Sequence, residues 1–334
     1  MRILLVAPAS GTSLHRFHAL ERLGHEVHLA DPRPNLLDTR LGRSWTYRTG
    51  GLGSSALVSA HLRAEIGSRR YDIAFVDGGE LLGPEHVAWM KSVARTVVNF
   101  NQDNPYVDAE GRKWRRFLRA VPDYDLIVTP RASSAAAARE LGAKRVMEVT
   151  FAADEVVHRP PQPRPGRDLD VVFAGTWMPG RGPLLVRLLE LGVPLRIFGP
   201  RWSKAPDYPA LAPAVTEGFL GDREYVDTIA RAKIGLAVLF KGNRDLHTTR
   251  SLEIPAIGTL LCAERTADHA AMYRDGEEAV LWDSAEECAA LCLDLLRDEP
   301  RLERIARAGH ARANRNGSFN EQVLARVLSE AAAA

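Results

Sequence analysis

The chain has little cysteine: three in 334 residues, at Cys262, Cys288 and Cys292. An odd count without paired spacing excludes the disulfide framework of a small secreted scaffold. Cys288 and Cys292 lie one helical turn apart in an apolar pattern, which reads as core, and a metal site would need further ligands nearby. Reduced thiols lead us to expect a cytoplasmic location. Charge of one sign is also lacking. With 44 basic and 42 acidic residues the formal charge is +2. No global field draws such a chain to nucleic acid or to an anionic membrane. No apolar run approaches the roughly 20 residues of a membrane span. The opening MRILLVAPASG is apolar only over residues 3–8. That is short of the roughly 7–15 residues of a signal segment and fits a first buried strand.

What is present is ordinary globular material, 46% apolar and 26% charged. The length suggests two domains. In the first half, strand patterns at 2–7, 26–30, 73–76, 96–100 and 126–129 alternate with helical spacing at 13–23, 54–66, 85–93, 112–121 and 133–141. The stretch HRPPQPRPGRDLD follows, with four prolines. Proline fixes φ and removes a donor, so residues 158–168 are expected to link two domains, 1–157 and 169–316. The alternation then restarts. Strands are expected at 170–173, 195–198, 234–239 and 259–262, with helices at 183–191, 224–232, 250–256, 285–296, 301–312 and 320–331. Strands alternating with helices predict an α/β chain of two Rossmann-like βα domains facing a central cleft, with parallel sheets. Ligands in such sheets bind at the carboxyl ends of strands. Neither APASGTS nor AGTWMPGRG has the G-x-G-x-x-G spacing of a nicotinamide site.

Residues 241–282 carry the most chemistry. A polar loop runs into a short helix that Thr248 or Thr249 would cap. An exposed helix start offers N–H groups and a positive dipole end to a diphosphate. Arg250 would add charge-assisted hydrogen bonds. Glu253 suits ribose hydroxyls, and Pro255 and Gly258 return the chain to a strand. This segment resembles the donor-site signature of GT-B glycosyltransferases of the E-x7-E retaining type, most closely the CgeB-like branch of spore maturation proteins. The resemblance covers roughly residues 145–330, with the first half similar only in architecture.

Glu253, followed by IPAIGTLLC, stands at the second acid of the pattern. Asp245, a shorter carboxylate, stands at the first, where the family contacts the transferred sugar. FAGTWMPGRG matches a second family segment. Gly175 would let backbone approach phosphate. Arg181 holds the second basic position, and Thr176 stands where the family has the first. VTEGFLGDREY, with Phe219 and Leu220, resembles the loop that holds the nucleobase, and His247 and Trp177 are further donor candidates. The resemblance implies a final helix, within 317–334, that packs on the first domain.

On the first domain, Gly11 between strand and helix is a donor-side candidate that would line the cleft, His15 at the helix start is a catalytic candidate that would contact donor or acceptor, and Asp103 after an apolar strand is the catalytic candidate of the acceptor side. Asp103 would orient or deprotonate a hydroxyl. Each also has a plain structural reading, as a turn or an exposed helix residue. Asp77–Glu80 reads better as a turn. The basic run from Arg112 to Arg119 reads as a solvated helix face, and Trp202 and Trp282 as core.

These expectations describe a hexosyltransferase using a nucleoside diphosphate sugar, UDP favoured, on a small-molecule or polymer acceptor. Retention, no clear Asp-x-Asp metal clamp in a plausible site, no tightly bound cofactor, no nucleic acid and no membrane span complete the reading. A nucleotide-sugar epimerase on the same fold and a non-catalytic nucleotide-sugar-binding protein stand as alternatives.

Overall fold

The computed structural model describes residues 1–108 and 112–333. The chain divides into two compact units, Met1–Thr150 with Asn320–Ala334, and Phe151–Phe319. Each is built on a six-stranded, all-parallel sheet.

In the first unit the strands are β1 (Arg2–Val6), β2 (Glu26–Ala30), β3 (Tyr71–Asp77), β4 (Ala94–Phe100), β5 (Leu126–Thr129) and β6 (Val146–Glu148). Their spatial order is β2-β1-β3-β4-β5-β6. The run Ile3-Leu4-Leu5-Val6 is wholly buried, because a central parallel strand is covered by helices on both faces. The order reverses between β1 and β3, so a crevice opens past their carboxyl ends. The helix Asn320–Ala332 belongs to this unit. It packs on the helix Gly11–Arg22, with Arg22 Nε 2.5 Å from Glu321 Oε1.

The second unit contains β7 (Leu169–Ala174), β8 (Leu195–Gly199), β9 (Val215–Glu217), β10 (Ala232–Ala237), β11 (Leu260–Glu264) and β12 (Val280–Trp282). Their order is β12-β11-β10-β7-β8-β9, and it reverses between β7 and β10. The alternation of strand and helix thus gives the expected fold class. Three edge strands, β6, β9 and β12, escape sequence reading. Each has three residues, too few to show a period.

The units divide after Thr150, ahead of the expected boundary at 157, because residues 151–158 are tied into the second unit. The Phe151 N–H donates to His247 Nε2 at 3.1 Å. The proline-rich stretch is likewise anchored there rather than free: Arg164 and Arg167 both donate to Gly258 O, at 2.6 and 2.9 Å. Gly258 is left-handed, with φ +90°, which ends the helix Arg250–Ile257 and turns it into β11.

Candidate functional site

In the second unit the chemistry gathers past the ends of β7 and β10, at the reversal of strand order. β7 leads into Gly175, Thr176 and Trp177, then the helix Arg181–Glu190. β10 leads through residues 238–249 into the helix Arg250–Ile257. Two guanidiniums meet here. Arg181 Nη1 donates to Thr176 O at 2.8 Å, and its Cζ lies 5.5 Å from the centre of the Phe173 ring. Arg250 Nε donates to Ala174 O at 3.2 Å and Nη1 to Thr249 Oγ1 at 3.1 Å. Burial, and then the like charge of Arg250, push the Arg181 guanidinium down to about 10, against the pull of Asp245. The Nε of Arg181 is buried without a hydrogen-bond partner among the described residues. A pair of cations with one spare donor is a site that an anion would stabilise.

The helix start differs from its sequence reading. Thr249 lies in helical geometry, and its side chain makes no cap bond. Ser251 Oγ accepts from Thr248 N at 3.1 Å instead. The helix is buried from Ser251 to Ile257, so Glu253 sits inside the unit. Tyr225 OH donates to Glu253 Oε2 at 2.7 Å, and His158 Nε2 lies 3.8 Å from Oε1. His158 Nδ1 accepts from Asp154 N at 2.8 Å, which leaves the ring proton on Nε2, facing Glu253. Burial would raise the Glu253 carboxyl. His158, Arg250 and the hydrogen bonds of Tyr225 and Thr249 outweigh it and hold the group below its ordinary value.

His247 is taken up internally. Its Nε2 accepts from Phe151, and Nδ1 lies 2.6 Å from Asp268 Oδ2, so neither ring nitrogen remains for a donor sugar. Gly175 is also required by packing: a Cβ there would lie 2.9 Å from Phe173 Cζ. Trp177 is half-buried against the core, with Arg201 Cζ 5.9 Å from its ring centre. Phe219 is 80% exposed, and Leu220 packs on the core beneath it.

The first unit has its own recess, of about 220 Å³, past the ends of β1, β3 and β4, bordered by Thr12, Arg33, Gly78, Glu80 and Asp103 among others. Below it Arg16, 2% exposed, pairs with Asp77 Oδ2 and lies 4.6 Å from the centre of the Phe100 ring. Arg33 Nη2 is 3.3 Å from Glu80 Oε1. Asp103 is half-exposed, its N–H donates to Asn101 Oδ1 at 3.0 Å, and Lys113 Nζ is 3.6 Å from its Oδ2. His15, expected at an exposed helix start, is buried. Gly11 begins the helix with φ +56° and open space around its Cβ position.

The structure therefore brings together Arg181, Arg250, Asp245 and Thr176, and separately seats Asp103 at a recess. Sequence reading missed the carboxylate cage of Tyr225 and His158 and the buried Arg16–Asp77 pair. The signal for the latter was the position of Asp77 at a strand's carboxyl end. For His158, lying among prolines, there was none.

Cysteine offers the one cluster of candidate metal ligands among the described residues. Cys262 Sγ lies 3.8 Å from Cys288 Sγ and 4.0 Å from Cys292 Sγ. All three are fully buried in the core. Their side chains pack in the apolar core among Leu260, Val280 and Leu295.

Residues 181–328 match a family model described as glycosyl transferase-like. No curated protein matches the chain significantly. Among solved structures, sucrose-phosphate synthase from Thermosynechococcus elongatus superposes with a TM-score of 0.70 at 15% identity, covering 99% of this chain and 98% of that one. HepE from Anabaena, in complex with UDP and glucose, gives 0.67 at 14% identity, covering 99% and 100%. A trehalose-6-phosphate protein from E. coli bound with UDP-2-fluoro glucose gives 0.67 at 14%, covering 99% of each. The family match covers most of the second unit, and the whole chain shares the fold of these solved structures.

Proposed function

We propose that the protein moves a hexose from a UDP-sugar to an acceptor hydroxyl, with retention of configuration and without a metal clamp. The observation that carries this is the Arg181–Arg250 pair, two cations held together past the central strands with a buried, unpartnered Nε. A diphosphate satisfies both. UDP is the favoured carrier because the HepE structure holds UDP and glucose and the E. coli structure a UDP-sugar. Asp245, beside Arg181, takes the transferred sugar. Glu253 takes the ribose with the lone pairs left beyond those that Tyr225, Thr249 and His158 face. The spacing of these two acids resembles the E-x7-E pair of the CgeB-like branch and supports retention. The acceptor oxygen bonds to the anomeric carbon, the bond to phosphate breaks, and the departing diphosphate takes the proton. Arg181 and Arg250 stabilise its charge. The first unit supplies the acceptor side, with Asp103 orienting the hydroxyl.

The test is nucleotide release from UDP-, GDP- and dTDP-sugars, with and without EDTA, and product anomers read by NMR. UDP-sugar turnover indifferent to EDTA, retained configuration, and a fall of about 100-fold or more in Arg250→Ala are expected. Failure to turn over any nucleotide sugar, even by slow hydrolysis, would defeat the proposal.

A further inference from the structure

The near-neutral charge of the whole chain conceals a strong local excess. Residues 33–53 hold four arginines and one acid, Asp38, for +3. Residues 112–119 hold five basic residues and no acid, for +5; Arg33, Lys113 and Arg116 face Glu80, Asp103 and Glu85 from neighbouring segments, so the eight net charges of the two segments less these three leave +5 on the face. Against +2 for the chain, the remainder carries −6. The two segments adjoin: a Cβ on Gly50 would lie 2.5 Å from Arg112 O and 3.1 Å from Arg115 Cβ. Arg40, Arg48, Arg112, Arg115 and Arg119 are all exposed.

The same face is greasy. Leu36 is 68% exposed, Leu41 83%, Trp45 39%, Tyr47 51% and Leu52 67%. These are five of the eleven large apolar side chains exposed among the described residues, gathered in residues 36–52. In the helix Arg40–Thr49 only Thr46 is buried beside the close-packed Gly42. Leu41 and Trp45, one turn apart, share a face. A helix that shows leucine, tryptophan and arginine to water has the composition of an element lying in a lipid interface.

We propose that this face docks the first unit on an anionic bilayer. The arginines meet lipid phosphates, and Leu41, Trp45 and the flanking leucines enter the boundary below them. Charge alone would suit nucleic acid equally. The aliphatic side chains among the arginines have no use on a phosphate backbone and do have one in lipid. The face also borders the acceptor side. A recess of about 250 Å³ lined by Arg43, Tyr47 and Lys113 shares Arg33 and Glu80 with the recess of Asp103. On the acceptor role proposed for Asp103, the acceptor is then a membrane-borne molecule whose head group reaches that recess.

The experiment is sedimentation of the full chain with vesicles of phosphatidylcholine alone, or mixed equally with phosphatidylglycerol, at low and high salt. The variants are Leu41→Ser with Trp45→Ser, and Arg40→Glu with Arg48→Glu. All four positions are exposed, and melting curves with UDP check that each variant is folded. Binding to the anionic vesicles, weakened about tenfold or more by salt and by either double variant, is expected. Equal partition to both vesicle types, retention of binding by both variants, preference for a nucleic acid duplex, or a wild-type dimer made monomeric by Leu41→Ser with Trp45→Ser would each overturn it. UDP binding, read in the same samples on the other unit, separates this outcome from failure of the glycosyltransferase reading.

Discussion

Arg181→Met separates a cation held for a ligand from one held for the fold. The folded unit lowers the Arg181 guanidinium from its ordinary value to about 10. At 1.36 kcal/mol per unit that is an upper bound of about 3 kcal/mol charged against stability. Solvent reaching a half-buried side chain reduces this to ~2–3 kcal/mol. The cost is fully present below about pH 10 and fades only as pH rises from there toward the higher unfolded value, so a neutral buffer reads all of it. Methionine keeps an apolar stem against Phe173 but loses the bond to Thr176 O, worth about 1 kcal/mol. The net expectation is a gain of ~1–2 kcal/mol, or a rise in Tm of roughly 2–8 °C for a unit of this size. UDP at about 100 times its Kd adds ~2.7 kcal/mol to the wild type, and that increment vanishes in the variant. Differential scanning fluorimetry with and without UDP reads both numbers. A lower Tm without ligand, together with an undiminished UDP shift, would refute the reasoning and make Arg181 a structural cation.

Two further expectations come from buried charges. Glu253, held below its ordinary 4.5, contributes stability that is fully present above that value and is lost as pH falls through the folded one. Urea unfolding at a series of pH values should show a shallower acid limb in Glu253→Gln, and Tyr225→Phe should cost ~1–3 kcal/mol at neutral pH; an unchanged limb refutes it. Asp77→Ala leaves the Arg16 guanidinium buried and uncompensated and should cost ~3–5 kcal/mol in urea unfolding, with Arg16→Met added to it restoring most of the loss. A double variant no better than the single one would show that the pair is not the cause.

The central strands were legible because burial on both faces writes a continuous apolar run into the sequence, as in residues 3–6. Their order was not, since pairing between distant segments leaves no local period. Arg181 and Arg250 were legible as a motif, and their strand ends do bring them together. The start of the Arg250–Ile257 helix was misread because a threonine before a helix usually caps it, while here Ser251 folds back from inside the helix. The packing of Glu253 was hidden for a different reason. Its partners lie 28 residues before it, at Tyr225, and in the proline-rich approach to β7, at His158. The local charge excess was visible as a basic run, but its greasy counterpart on residues 36–52 emerged only once exposure was known.

The first unit is discontinuous in sequence, and this orders its assembly in time. A ribosome delivers residues 1–150, then the whole of 151–319, and only then the helix Asn320–Ala332 that packs on Gly11–Arg22. The unit begun first is therefore finished last. Until then the face of the helix Gly11–Arg22 that the last helix meets waits uncovered, while the second unit, continuous in sequence, is free to close on its own. Val323, Leu324, Val327 and Leu328, all buried in the finished protein, act as a late latch, and a nascent chain exposes the surface they cover to chaperones until they emerge.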